Sequence, residues 1–157
     1  MRVAIDSNVF GYAAGIGFDA TKRDTAGRLL NALRAADVVM ASQVAGEFYN
    51  ILVRKGSTPP VLARKIVQDW ADVFGLAVPT PNTMRTALEG ASVFNLQIWD
   101  ALILTIAAES GCGLLLSEDM QDGFVYRGVT VANPFAETLH PLLASVLAVL
   151  PNPGDPQ

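Results

Sequence analysis

The sequence predicts an α/β protein, a three-layer α/β/α sandwich with a central, mainly parallel sheet. Short segments that are almost entirely apolar alternate along the chain with longer segments whose apolar residues recur at helical spacing. A strand that is apolar at nearly every position is typical of a parallel sheet covered on both faces. The chain has 157 residues, of which 51% are hydrophobic and 17% charged, and this suits one globular domain.

Five segments are predicted strands because they are short and apolar, with several β-branched side chains. The first of them ends in an acid, and Pro79 and Pro81 close the third. In chain order the predicted strands are residues 2–6, 37–41, 76–78, 113–117 and 129–132.

Six longer segments are predicted helices because apolar residues recur in them three and four positions apart. Ser42 is a favourable N-cap, Pro59 suits a first helical turn, and Gly56 and Gly111 suit helix ends. In chain order the predicted helices are residues 19–36, 42–55, 57–74, 82–93, 97–110 and 137–150. We expect a single domain over residues 1–150 and a disordered C-terminal tail over residues 151–157.

The composition excludes several classes of protein. The formal net charge is -4, whereas a domain that binds nucleic acid by bulk electrostatics is normally basic. A single cysteine, Cys112, excludes an internal disulfide and a cysteine-rich zinc site. Asp6 stands where a signal peptide needs an apolar run, and residues 139–150 are too few for a membrane span, which takes about 20 residues. We therefore expect a cytoplasmic protein without a membrane partner.

Acidic residues stand just after the predicted strands. Asp6 ends the first strand, Glu47 lies in the helix after the second, and Asp119 follows the strand at residues 113–117. Asp100 interrupts an otherwise apolar helix, which is costly unless its carboxylate faces a partner or a metal. Open parallel sheets bind ligands beyond the carboxyl ends of their strands, so we expect these carboxylates to converge there.

Convergent carboxylates predict a magnesium or manganese site. Both cations prefer oxygen ligands, and close carboxylates repel one another unless a cation neutralises them. The sequence offers no basic cluster that would do so instead. Taken singly, each acid also has an ordinary alternative, as a turn residue, a cap or a solvated helix residue.

The order of these elements resembles the PIN domain, and within it the VapC-type toxin ribonucleases of bacteria. The matching segments are Ile5-Asp6-Ser7-Asn8-Val9, Glu47-Phe48, Trp99-Asp100-Ala101 and Leu116-Ser117-Glu118-Asp119, within roughly residues 2–135. The resemblance implies a ribonuclease whose catalytic acids hold one or two Mg²⁺ or Mn²⁺ ions and whose partner is an antitoxin protein. The implied catalytic and metal-binding residues are Asp6, Glu47, Asp100 and Asp119, with Asp122 as a further candidate ligand and Ser7 and Asn8 in support.

An RNA substrate also needs cations that contact its phosphates. The candidates are three adjacent pairs, Lys22 with Arg23, Arg54 with Lys55 and Arg64 with Lys65, although a solvated helix face is the alternative for at least one pair. The chain offers no suitably placed histidine, cysteine or lysine nucleophile, so we expect water to attack the phosphodiester.

A stripe of apolar residues near the C-terminus predicts a homodimer, because its spacing is helical. The same stripe has an alternative role as a cover for the chain's own sheet. Its residues are Leu139, Leu142, Leu143, Val146, Leu147 and Leu150.

Two other functions remain open. A haloacid-dehalogenase-type phosphatase would use Asp6 as a covalent nucleophile, but Asn8 stands where that family has a second acid, and no lysine lies between Lys65 and Asp119. A PIN domain that only binds RNA is expected to lack some of the acids, and all four are present. Residues 15–20 fit the loose dinucleotide-binding pattern but begin too far after the first strand to hold a pyrophosphate.

Overall fold

Six strands form one central sheet in the computed structural model, which describes residues 1–150. In chain order they are β1 (Arg2–Ile5), β2 (Val38–Ala41), β3 (Leu76–Ala77), β4 (Cys112–Leu116), β5 (Val125–Tyr126) and β6 (Val129–Ala132). Across the sheet the order is β3-β2-β1-β4-β6-β5, and every neighbouring pair is parallel except β5 and β6. The predicted tail, residues 151–157, lies outside the described residues.

Seven helices flank the sheet within this part of the chain. They are α1 (Ser7–Ala13), α2 (Ala20–Leu33), α3 (Ser42–Arg54), α4 (Pro60–Phe74), α5 (Pro81–Phe94), α6 (Ile98–Glu109) and α7 (Pro141–Ala148). The predicted α/β fold with a mainly parallel sheet is confirmed. Over residues 1–150, no helix combines the length and the apolar character that crossing a membrane requires.

The middle of the sheet is the centre of the hydrophobic core. β1 pairs with β4 along its whole length, and Val3, Leu114 and Leu115 are fully buried. These strands are apolar at nearly every position because both of their faces are covered. The helix α6 is buried over residues 101–107, so its polar side chains reach the surface only near its two ends, at Asp100 in the first turn and at Glu109 in the last.

The strand order places a crevice at the end of β1. From β1 the chain moves outward through β2 and β3, and it then returns to the other side of β1 to form β4. The neighbouring strands β1 and β4 therefore have connections that diverge beyond their carboxyl ends, which is where open α/β sheets bind ligands. Asp6 follows β1 at this edge, and Ser117 follows β4.

Three local predictions differ from the structure. Ser42 is not the N-cap of α3: Ala41 has that position without a side-chain hydrogen bond, and Ser42 is the first helical residue. The short helix α1 was not predicted, because seven residues directly after a strand give little periodicity. The strand β5 was also missed, because it has two residues and its turn to β6 uses Arg127 and Gly128, both with positive φ, instead of a typical Asn-Gly pair.

The apolar stripe near the C-terminus packs mainly on the chain itself. Leu143 and Val146 are buried in the core, and three further members of the stripe lie against it. The helix predicted over residues 137–150 is also shorter than expected, since α7 begins at Pro141 after His140, whose ring nitrogen accepts a hydrogen bond from the backbone of Leu142. The alternative role of the stripe, covering the chain's own core, is the one the structure supports.

Candidate active site

Asp6 joins the carboxyl ends of β1 and β4. Its extended backbone ends β1, and its Oδ1 caps α1 by accepting a hydrogen bond from the backbone N–H of Ser7 at 2.7 Å. The other oxygen, Oδ2, accepts a hydrogen bond from the hydroxyl of Ser117 at 2.7 Å. The Asp6 side chain is buried, and both of its oxygens are therefore fixed by the ends of two neighbouring strands.

The hydroxyl of Ser7 lies between two carboxylates. It is 2.9 Å from Oε2 of Glu47 and 3.3 Å from Oδ1 of Asp6. A hydroxyl has one hydrogen to donate, so the shorter contact to Glu47 is the stronger hydrogen bond. The other oxygen of Glu47 accepts from the side-chain amide of Gln43 at 2.8 Å, one turn earlier in α3. These contacts hold Glu47 beside Asp6.

Asp119 is held by the polar residues that follow β1 and β4. The side-chain amide of Asn8 donates a hydrogen bond to Oδ2 of Asp119. The hydroxyl of Ser117 accepts from the backbone N–H groups of Asp119 at 3.3 Å and Met120 at 3.4 Å. Because Ser117 also donates to Asp6, one hydroxyl fixes both the Asp6 carboxylate and the loop that carries Asp119.

Asp100 lies in the first turn of α6 and is partly buried. The N-cap of this helix is Gln97, whose side-chain oxygen accepts from the backbone N–H groups of Trp99 at 2.6 Å and Asp100 at 3.1 Å. A carboxylate at a helix N-terminus is favourable in itself. Burial nevertheless raises the pKa of Asp100, and the charges of Glu47 and Asp119 raise it further.

The pKa of Asp6 shows the same electrostatic coupling. It is raised from 3.8 to about 6, with burial as the largest cause, and the hydrogen bonds from Ser117 and from the Ser7 backbone lower it in part. The charges of Glu47 and Asp119 raise it further. The structure therefore brings together the four predicted acids, which we call the carboxylate cluster: Asp6, Glu47, Asp100 and Asp119.

The donor chemistry of the carboxylate cluster fits a hard divalent cation. All of its ligand atoms are oxygens, and none of its members forms an ion pair with a lysine or arginine in the described part of the chain. Within residues 1–150, no three or more His, Cys, Asp or Glu side chains are arranged to hold a metal ion. Hydroxyl and amide groups contact oxygens of Asp6, Glu47 and Asp119 and fix the orientation of these carboxylates.

The fifth predicted acid, Asp122, has a different environment. It is exposed, and its Oδ1 accepts a hydrogen bond from the backbone N–H of Asn133 at 2.7 Å. Its charge is not among those that raise the pKa of Asp6 or Asp100. The structure thus places Asp122 at the turn before β5 and does not group it with the carboxylate cluster.

The predicted RNA-contacting cations differ in their surroundings. Lys22 is used within the chain, since its Nζ lies 2.5 Å from a carboxylate oxygen of Glu118 and over the ring of Tyr12. Arg23 donates to the backbone carbonyl of Gly17 at 2.8 Å. Arg54 and Lys55, at the end of α3, are exposed and remain available to a ligand. Arg64 and Lys65 are also exposed, on α4, where Lys65 pairs with Asp69 at 2.7 Å.

Two residues that organise the site were not predicted from the sequence. Ser117 lies in a segment that matched the PIN domain and follows a strand that neighbours β1, so its position could have indicated its role. Gln43 precedes Glu47 by four residues and shares a helix face with it, which is the spacing for a side-chain hydrogen bond.

Comparison with known proteins identifies a family and a fold. The model of the PIN domain family matches residues 3–122 of the chain. Among solved structures, the chain is similar to the crystal structure of VapC20 from Mycobacterium tuberculosis, described as a sarcin-ricin loop cleaving toxin. The identity is 20% and the TM-score 0.61, over 72% of this chain and 86% of that one, and the likeness shows a shared fold. No curated protein matches the sequence.

Proposed function

This chain belongs to the PIN domain family, and from that membership we propose that it is a metal-dependent endoribonuclease that hydrolyses RNA phosphodiester bonds. The observation that carries the proposal is the carboxylate cluster. Its members come from four separate segments of the chain, and their charges raise the pKa of Asp6 and Asp100. Carboxylates whose pKa values are raised by burial and by neighbouring charges are concentrated at the functional sites of proteins.

We further propose that the carboxylate cluster holds Mg²⁺ or Mn²⁺ and that its four members are the catalytic residues. Such a cation, when bound, lowers the pKa of a water molecule and offsets negative charge on the phosphate. Asp6 is the residue best placed to anchor it, because the hydrogen bonds from Ser7 and Ser117 fix its orientation. Proteins that bind these cations commonly orient their ligands in this way.

The neighbouring polar residues support the reaction by positioning. Ser7 holds Glu47 through a hydrogen bond of 2.9 Å, and Asn8 holds Asp119. The amide of Asn8 has a second N–H, which can donate to a phosphate oxygen of the substrate. Both residues lie in the first turn of α1, so the residues directly after β1 position Glu47 and Asp119.

Water is the nucleophile in this proposal, because the chain's other nucleophilic side chains lie elsewhere. Cys112 starts β4, at the opposite end of that strand from Ser117, and burial raises the pKa of its thiol to about 11. His140 caps α7. A covalent mechanism through Asp6, as in the phosphatase alternative, is disfavoured because Asn8 stands where that family has a second acid and no lysine lies between Lys65 and Asp119.

The biological role that we propose is that of a toxin in a toxin–antitoxin pair, acting on RNA in the cytoplasm. The support is the resemblance to VapC-type proteins and the fold shared with VapC20, which is described as a toxin. An antitoxin protein and a second copy of the chain are the proposed protein partners.

The proposed homodimer is supported by the exposed apolar side chains of Val61 and Leu62 on α4, because most of the C-terminal stripe packs on the chain's own core. Sedimentation at micromolar concentration tests it, and a monomer mass would exclude it.

The proposed reaction is tested by incubating the purified protein with single-stranded RNA and with a small phosphomonoester. We expect RNA cleavage in Mg²⁺ or Mn²⁺, loss of cleavage in EDTA, and recovery when metal is added back. The phosphomonoester is expected to remain intact. RNA that stays intact with both metals, together with hydrolysis of the phosphomonoester and a trapped phosphoaspartate at Asp6, would replace the nuclease with the phosphatase. Binding of RNA without any cleavage would favour the non-catalytic PIN domain.

A further inference from the structure

The loop between α1 and α2 presents a fully exposed aromatic ring. The side chain of Phe18 is fully exposed to solvent in the described part of the chain. A single exposed apolar side chain is common on protein surfaces and needs no explanation by itself. Here, however, the backbone on both sides of the ring is fixed, and the ring lies at the end of a groove that leads to the carboxylate cluster.

Hydrogen bonds hold the backbone on either side of Phe18. The preceding carbonyl, on Gly17, accepts from the guanidinium of Arg23 at 2.8 Å. The following residue, Asp19, caps α2 by accepting from the backbone N–H of Lys22 at 3.0 Å. Gly17 has φ of +101°, a conformation that side chains rarely adopt. The exposure of the ring is therefore a property of an ordered turn.

A second contact attaches this loop to the end of α3. Ile16 packs against Gly56, where a Cβ atom would lie 2.7 Å from the Cδ1 of Ile16 and 2.8 Å from the carbonyl oxygen of Leu52. The Leu52 carbonyl is backbone and cannot move aside as the end of the Ile16 side chain can, so it is the contact that favours glycine here. The packing brings Lys55, the residue before Gly56, to the same side of the molecule as Phe18.

Two adjoining cavities connect Phe18 to the active site. The smaller, of about 110 Å³, is lined by Asn8 and Lys55, and the larger, of about 510 Å³, is lined by Lys55 and Phe18. They share Ile16 and Gly17 as well as Lys55. This path, which we call the loop groove, begins at Asn8, whose side-chain amide donates a hydrogen bond to Asp119 of the carboxylate cluster, and ends at the exposed ring.

We propose that the loop groove binds a single-stranded segment of the RNA substrate, with Lys55 on a backbone phosphate and an unpaired base stacked on Phe18. The inference rests on the proposed ribonuclease function. Lys55 is exposed and forms no ion pair with any residue between 1 and 150, in a chain whose net charge is -4. A free cation on an otherwise acidic protein is electrostatically suited to a phosphate.

The aromatic ring indicates an unpaired base as the second ligand. Bases splayed out of single-stranded RNA stack on aromatic side chains, whereas bases inside a helix have their faces covered by their neighbours. A protein segment could also cover an exposed phenylalanine. The groove reaches Asn8, which contacts Asp119, and the unpaired Lys55 lines both of its cavities. These observations favour RNA, because they place a free cation between the ring and the proposed catalytic acids.

The test measures equilibrium binding of a short, fluorescein-labelled single-stranded RNA of mixed sequence in EDTA, where cleavage does not interfere. We expect Phe18→Ala and Phe18→Leu each to weaken binding about tenfold, and Phe18→Trp to bind like the wild type, because stacking requires a π face. Lys55→Gln should weaken binding and reduce the slope of log affinity against log salt by about 0.7. Lys65→Gln is the matched control, since Lys65 is exposed on α4 and its charge is paired with Asp69. This variant should bind the RNA with the affinity of the wild type.

The outcomes separate this inference from the proposed function. Wild-type affinity in both Phe18→Ala and Lys55→Gln would overturn the loop groove as an RNA site, and cleavage by the wild type in metal would still support the nuclease. Full binding by Phe18→Leu with weak binding by Phe18→Ala would indicate an apolar contact and overturn base stacking. The expected binding pattern without cleavage in any metal would contradict the nuclease and leave the groove supported.

Discussion

Replacing Asp6 with asparagine is expected to change how the stability of the metal-free protein depends on pH. Burial is the main reason that the Asp6 pKa rises from 3.8 to about 6. The raised pKa means that ionising Asp6 costs the folded state roughly 3 kcal/mol more than it costs the unfolded chain. The penalty is absent below about pH 4, grows as the pH rises to about 6, and is complete above that.

Asparagine removes this penalty but disturbs one hydrogen bond. Its side-chain oxygen can still cap α1, whereas its NH₂ group would face the hydroxyl of Ser117, which now donates to Asp6. Losing that bond costs about 1 kcal/mol at every pH. The variant should therefore be slightly less stable than the wild type at pH 4 and about 2 kcal/mol more stable at pH 8.

The assay is denaturant unfolding of both proteins in EDTA at a series of pH values from 4 to 8. The informative quantity is the change with pH of the difference in free energy of unfolding, because the lost hydrogen bond contributes equally throughout. A difference that stays constant between pH 4 and pH 8 would refute the reasoning, since Asp6 would then ionise as easily in the fold as in the unfolded chain. Asp72→Asn, at an exposed acid on α4 that forms no ion pair with any described residue, is the control and should give a nearly constant difference.

Two further predictions concern the same site. Mg²⁺ or Mn²⁺ should raise the melting temperature of the wild type, by binding the folded state. Asp100→Asn should raise the melting temperature in EDTA, because it removes a partly buried charge repelled by Glu47 and Asp119. The same variant should show a smaller rise in melting temperature when metal is added. A metal effect that is unchanged in Asp100→Asn would contradict this. Ser117→Ala should lower the free energy of unfolding by about 1–3 kcal/mol, because the hydroxyl both donates to Asp6 and accepts from two backbone N–H groups. Denaturant unfolding measures this change in the free energy of unfolding. A Ser117→Ala variant as stable as the wild type would show that these hydrogen bonds contribute little.

The sequence predicted the sheet because burial on both faces leaves a clear trace in it. β1 and β4 are apolar at almost every position, and each is followed by a polar residue at the same edge of the sheet. The elements that were not predicted depend on tertiary contacts. The edge strand β5 has two residues and exists through its pairing with β6, and no local pattern marks so short an element.

The candidate site was predictable in its acids and less so in its organisation. Asp100 was informative because an acid in an apolar helix is costly, and in the structure it lies close enough to Glu47 and Asp119 for their charges to raise its pKa. The function of Lys22 could not be inferred in the same way. Its ion pair with Glu118 joins residues 96 positions apart, so only the fold could show that this cation is used within the chain.

The proposed nuclease is tested most directly by the single-turnover rate of RNA cleavage in saturating Mn²⁺ or Mg²⁺, compared between Asp100→Asn and Asp69→Asn. Both changes remove one negative charge and keep the size of the side chain, but only Asp100 belongs to the carboxylate cluster. We expect Asp100→Asn to lose at least about a hundredfold in rate, because even residues that only orient metal ligands are worth about 10- to 100-fold, while Asp69→Asn cleaves like the wild type. Equal rates in the two variants would contradict a carboxylate-held metal at this site.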